Sequence, residues 1–231
     1  MITTGVLLQK SPMALIGLTE RNIRTPTEMR GKTVAITPGD SLSLVWPLLL
    51  KKIGLKEDEL TIVSGDAQTK LNAVINGRAD LMLGYLMDQN LRIEKATGKP
   101  VTAIPFSDYG VNLVSSCIVV SKDMLKNKPD LARRFMKAAT RAVQAAENDP
   151  EAAVDAMLKA YPKAGDRKLL IDGLKLTLPL YHTDETRNEP PFRVSPTNFA
   201  DSVSMLVEYA GVEKSAAGRP KDFYTLDYLP K

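Results

Sequence analysis

The segment "TPGDSLS" (37–43) follows an apolar run and leads into residues that favour the start of a helix. Pro38 and Gly39 supply a bend. Asp40, Ser41 and Ser43 then place a carboxylate and two hydroxyls beside the free N–H groups of a helix N-terminus. Two chemistries fit Asp40, and they are compatible. As a cap, its carboxylate accepts orphan N–H groups, a contact worth about 1 kcal/mol. As a ligand contact, its charge repels anions and accepts from amino, ring N–H or hydroxyl donors. Ser41 is placed to donate to the same ligand, whereas Ser43 suits the first helical turn. A second corner, "LGYLMDQ" (83–89), offers Tyr85 for stacking on a planar ligand, its hydroxyl seeking a polar partner. Asp88 and Gln89 stand there at the next helix start, and capping is the first reading of Asp88. A third stretch, "SDYGVN" (107–112), carries Asp108, Tyr109 and Asn112 around a turn glycine, with Tyr109 a candidate cleft wall. The candidate ligand-binding residues are therefore Asp40, Ser41, Tyr85, Asp88, Tyr109 and Asn112.

Residues for catalysis are sparse. The chain has one histidine, His182, and one cysteine, Cys117. His182 lies in a polar stretch without a cysteine or second histidine nearby and reads as an exposed side chain. Cys117, in "SSCIVVS", reads as a small core hydrophobe. A lone cysteine builds neither a disulfide framework nor a cysteine-based zinc site. No Ser/His/Asp order, phosphate loop or H-E-x-x-H occurs, and "GKTVAI" precedes a strand rather than a helix. Trp46 reads as core. No metal and no cofactor is implied, and the chain reads as a non-enzyme.

The elements that must position the corners alternate. "KTVAI" (32–36), "LTIVS" (60–64), "DLMLGY" (80–85) and "VTAIPF" (101–106) are nearly continuous apolar runs, as in strands covered on both faces. Between them 41–53, 67–76 and 86–97 have helical spacing, the last closed by Gly98 and Pro100. This order predicts βαβ units and a mainly parallel sheet over about 31–110. After residue 122 only helices are expected. One has Leu131, Phe135, Ala138, Ala142 and Ala146 on its packing stripe, a second Val154, Leu158 and Tyr161, and a third runs from Ser195-Pro196 to Gly211. Residues 181–194, "YHTDETRNEPPFRV", read as an exposed connection. "PMALIGL" (12–18) and "SSCIVVS" (115–121) flank the α/β unit like two hinge crossings, and ligands commonly bind between lobes that close about a hinge.

Composition narrows the classes further. With 231 residues, 44% hydrophobic and 25% charged, the chain fits an ordinary globular protein of one or two domains. Its 31 basic and 27 acidic residues are interspersed, with no basic stripe, aromatic platform or Cys/His finger, so nucleic acid is not an expected partner. No apolar run approaches the roughly 20 residues of a membrane helix. The N-terminus lacks the basic region and cleavage site of a secretory signal, so the chain either stays in the cytoplasm or its leader is missing.

Taken together, "IRTPTEMRGKTVAITPGDS", "LLLKKIGLKEDELTIV", "LNAVINGRADLMLGYLMDQ", "FSDYGV" and "IVVSKDMLKNKPDLARRFMKAATRA", with the closing "DFYTLDYLPK", resemble the substrate-binding proteins of ABC transporters for nitrate, taurine, aliphatic sulfonates and thiamine pyrimidine precursors. The likeness covers nearly the whole chain, and the order and spacing of the segments carry it. It implies a type II periplasmic-binding-protein fold, α/β, with two lobes, a two-strand hinge and one small-molecule ligand in the cleft. It also implies a membrane permease as partner and a periplasmic or lipid-anchored extracytoplasmic location. The sulfonate binders of this family use serine-rich loops at the first corner. Here Asp40 intrudes, which tilts the expected ligand toward a pyrimidine-like or other nitrogen-containing metabolite. The family's opening strands and helices have no counterpart before Met1, so the first lobe is expected to be incomplete. The expected division is 1–18 with 119–231 as lobe one and 19–118 as lobe two. A monomer is expected at full length; for the chain as it stands the expectation is poor solubility, a partner chain or oligomer, or an incorrect start site. Two alternatives share the fold. One is a thiamine pyrimidine synthase, whose histidine, pyridoxal phosphate lysine and cysteine-rich iron site this chain does not match. The other is the sensing domain of a transcription regulator, which needs a helix-turn-helix where Met1 begins in a strand-like segment.

Overall fold

The computed structural model describes residues 1–230. It divides into two compact units, one made of Met1–Ser11 with Leu113–Lys231 and the other of Pro12–Asn112. The chain passes between them twice, at 11/12 and at 112/113. These boundaries differ from the expected 18/19 and 118/119, because strand pairing assigns the flanking strands. The strand Met13–Leu18 (β2) is bonded on both sides within the second unit, and Ser115–Val120 (β7) pairs with Ile2–Leu8 (β1) in the first.

The second unit holds a five-stranded sheet of β2, Thr33–Ile36 (β3), Thr61–Ser64 (β4), Leu81–Tyr85 (β5) and Val101–Pro105 (β6), in the order β4-β3-β5-β2-β6. β3 runs parallel to β4 and β5, whereas β2 runs antiparallel to both β5 and β6. Four strands therefore share one direction, and β2, the strand by which the chain enters, is inserted against them. All six residues of β2 are buried, as a strand covered on both faces requires.

Three helices connect these strands: Ser41–Ile53 (α1), Ala67–Ile75 (α2) and Gln89–Thr97 (α3). α1 begins where Asp40 caps it and ends at Gly54, which adopts a left-handed conformation. Asp66 caps α2 in the same way, its carboxylate accepting the Thr69 N–H at 2.7 Å. Those backbone donors hold the Asp66 carboxyl below the usual aspartate range. α3 starts later than the expected 86, since the Asp88 N–H is bonded to the Tyr85 carbonyl in a turn. Ala14, Ile16, Ala35, Leu71, Val74, Met82 and Ile93 form one apolar core under these elements.

In the first unit, β1 and β7 pair antiparallel, with an irregularity between Thr3 and Gly5. Five helices follow: Lys122–Asn127 (α4), Pro129–Asn148 (α5), Pro150–Ala160 (α6), Arg167–Thr177 (α7) and Pro196–Tyr209 (α8). The buried stripe of α5 is Ala132, Met136 and Thr140, one position from the expected one. Leu131 and Phe135 are 40% and 55% exposed, and Tyr161 at the end of α6 is exposed as well. Residues 181–194 are not an exposed connection either. Tyr181, Phe192 and Val194 are buried, and the Phe192 carbonyl accepts the Val6 N–H at 3.2 Å, so this segment lines β1 as a short bridge.

Cys117 packs at the edge of the core formed by Val6, Val194, Phe199 and Val203. Burial pushes its thiol up to about 11. Only the thiolate reacts with disulfide reagents, so native labelling near pH 8 should run roughly a hundredfold slower than labelling of the urea-unfolded chain. Equal rates in the two states would show that the thiol is not withheld.

Candidate functional site

The C-terminal ends of β3 and β5 are neighbours, because these strands pair directly in parallel. In parallel sheets that edge is where ligands are commonly held. After β3 the chain turns through Gly39, at φ +81°, and enters α1. Asp40 Oδ1 accepts the Ser43 N–H at 2.7 Å, and the Ser43 hydroxyl donates to the Asp40 carbonyl at 2.9 Å. The cap is thus built as expected, with Ser43 closing the first turn.

Asp40 has a second partner that sequence reasoning missed. Lys70, on α2, places its ammonium 3.3 Å from Asp40 Oδ2, with its side chain only 4% exposed. A lysine is almost never this buried unless paired. The corner is therefore not negatively charged in the way that Asp40 alone suggests. Thr37, directly after β3, keeps its buried hydroxyl without a hydrogen-bond partner.

The last residue of β5 is Tyr85, whose hydroxyl is 2.8 Å from the Ser41 hydroxyl. Residues 44 apart in sequence are thereby brought into one polar cluster. The Gln89 side chain fixes the turn behind them, its Oε1 accepting the Tyr85 N–H at 2.6 Å and its Nε2 donating to Asp88 at 2.8 Å. Asp88 is not a cap, contrary to its first reading, since it makes no capping hydrogen bond. It instead pairs with Arg92 at 2.8 Å across one helical turn. On the first turn of α3, Asn90 carries a buried oxygen without a partner.

Tyr109 and Asn112 are both half-buried. The neighbouring Gly110 lies beside Lys52, in the last turn of α1. Ser41 opens that helix, and eleven positions at about 1.5 Å each separate the two by about 16 Å along its axis. Trp46 is fully buried, as expected of a core residue, though its indole N–H finds no acceptor. His182 is not exposed. Its ring nitrogens lie 2.8 Å from the Thr186 carbonyl and 2.8 Å from Glu147, which ties the 181–194 segment to α5. Among the described residues no group of three metal-ligating side chains gathers, and no helix is long and apolar enough to cross a membrane.

The sequence profile of the family described as NMT1/THI5 like matches residues 1–153. The chain belongs to that family. A curated relative, the riboflavin-binding protein RibY of Chloroflexus aurantiacus, is 28% identical over 189 residues, covering 80% of this chain. The chain spans 52% of that relative's length. Among solved structures it is similar to the periplasmic aliphatic sulphonate binding protein SsuA of Escherichia coli, with a TM-score of 0.72 at 14% identity over 95% of this chain and 68% of the other. It is also similar to a ligand binding component of an ABC-type import system from Staphylococcus aureus, with a TM-score of 0.63 at 12% identity over 90% and 67%. At these identities the structural likeness establishes the fold, which is that of the periplasmic binding proteins.

Proposed function

We propose that this NMT1/THI5-like chain is the solute-binding part of an ABC importer, acting outside the cytoplasmic membrane and delivering its ligand to a membrane permease. The ligand we infer is a planar, nitrogen-containing metabolite, pyrimidine-like or flavin-like, in preference to a sulfonate or nitrate. The observation that carries this reading is the 2.8 Å contact between the Ser41 and Tyr85 hydroxyls, which gathers two corners into one polar cluster at the C-terminal sheet edge. There Tyr85 supplies a face for a planar ring, Asp40 supplies an acceptor for ring N–H or amino groups, and Ser41 supplies a hydroxyl of either polarity. Asp88 is held beside them by Gln89 and Arg92. The riboflavin-binding relative from Chloroflexus aurantiacus agrees with a ring-shaped ligand.

A thermal-shift series with riboflavin, 4-amino-5-hydroxymethyl-2-methylpyrimidine, taurine and nitrate tests the reading. A ligand that binds only the folded state stabilises it by about 2.7 kcal/mol at a hundred times its Kd, so riboflavin or the pyrimidine should raise the Tm clearly. A rise with taurine or nitrate alone, or with none of the four, sinks the proposal.

A further inference from the structure

Lys70 calls for a reason beyond packing. Its neighbours on the buried face of α2, Leu71, Ala73 and Val74, are apolar and pack into the core of the unit. An ammonium in that row loses its hydration, and buried ion pairs are often replaced by apolar groups without loss of stability. Stability alone therefore does not call for a charge at this position. The Lys70 ammonium donates to Asp40 Oδ2 at 3.3 Å, and Asp40 stands on the loop that opens α1.

We propose that Lys70 is the specificity-determining residue of the Asp40 corner, acting through Asp40 rather than by touching the ligand. Its ammonium cancels the carboxylate charge and holds Oδ2 in place. The corner thereby keeps an acceptor for a ring N–H or amino group without the negative field that would draw in cations. The class selected is an uncharged polar heterocycle, with a cationic analogue discriminated against. This inference rests on the solute-binding reading above.

The test is a competition measurement by calorimetry with riboflavin as the uncharged probe and thiamine as the cationic one. It is run on the wild type, Lys70→Met, Lys70→Arg, Asp40→Asn and the Asp40→Asn/Lys70→Met double variant. In Lys70→Met the bare carboxylate should shift preference toward thiamine by about tenfold or more, given the strength of a half-buried charge. Lys70→Arg should restore the wild-type preference. Asp40→Asn should shift it the opposite way, and the double variant, lacking both charges, should return near the wild type. A purely structural lysine would lower the Tm and weaken both probes alike, leaving their ratio unmoved. If Lys70→Met does not fold, Asp40→Asn and Lys70→Arg still decide: an unchanged ratio in Asp40→Asn overturns the proposal. Failure of the wild type to bind either probe overturns this inference, and the functional reading falls with it only if the pyrimidine is not bound either. Binding with an unaltered preference in every folded variant overturns the role of Lys70 alone.

Discussion

Replacing Gly17 with alanine should lower the unfolding free energy by about 3 kcal/mol, the upper part of the range for overpacking a filled interior. A Cβ at this position would lie 2.4 Å from the Asp80 carbonyl oxygen and 2.7 Å from a methyl of Leu81. The first of these is backbone, which cannot swing aside as a flexible side chain would. Asp80 is also tied down, since its N–H donates to the Thr33 carbonyl at 2.9 Å and its carboxylate accepts the Thr33 N–H at 2.9 Å. Moving Asp80 therefore pulls on the junction of β3 and β5 as well as on β2. Urea denaturation should show a lower midpoint with an unchanged slope. Gly39→Ala serves as the control. That glycine has φ +81° with nothing within 4 Å of an added Cβ, so only the backbone cost of about 1 kcal/mol applies. Equal losses in the two variants would contradict the steric account.

Ile93→Ala should cost a comparable amount, about 3 kcal/mol within the 2–5 seen for such truncations. Ile93 is fully buried and is the one buried residue of α3, packed in the core with Ala14, Ile16 and Met82. Gln89, Asn90, Leu91 and Thr97 of that helix are half-buried and the rest is exposed, so Ile93 is its main apolar anchor. Truncation therefore has a second expected effect, a looser first turn. Gln89 sits in that turn and fixes the backbone of Tyr85, so ligand affinity should fall more in Ile93→Ala than in an equally destabilising variant of the first unit, such as Met136→Ala. Chemical denaturation and calorimetry on both variants check this. Affinity that follows stability equally in both would break the link between α3 and the site.

Much of the second unit was legible in the sequence. Helix α1 occupies its expected span because an aspartate cap and a left-handed glycine mark its two ends. The parallel strands lie within a residue or two of their expected positions, since continuous apolar runs bounded by turn residues leave few alternatives. Other features carried no local signal. An apolar run such as "MALIGL" states that a strand is buried but not which way it points or between which partners. On α5 two interleaved stripes compete, and the eye follows Leu131 and Phe135, while the structure buries Ala132, Met136 and Thr140. The pairing of Lys70 with Asp40 spans 30 residues, and that of His182 with Glu147 spans 35. A charge on a helix reads as solvated until the fold brings its partner alongside. Within the candidate site, Asp40, Ser41 and Tyr85 could be named because each stands at or just after a strand end, whereas Gln89 was noted only as a neighbour.

The place of β2 in its sheet also governs the order in which that sheet is completed. Ile16 pairs with Met82 on one side and Ala103 on the other, so the earliest strand of the unit must wait for the two latest. β3, β4 and β5 can associate first, with shorter loops to close, while β2 remains unpaired. On a ribosome adding about 5–20 residues per second, that wait lasts several seconds. For that interval a six-residue apolar strand with both edges open is exposed to other chains. The nascent chain should accordingly be most in need of a holding chaperone between the synthesis of residue 18 and that of residue 105.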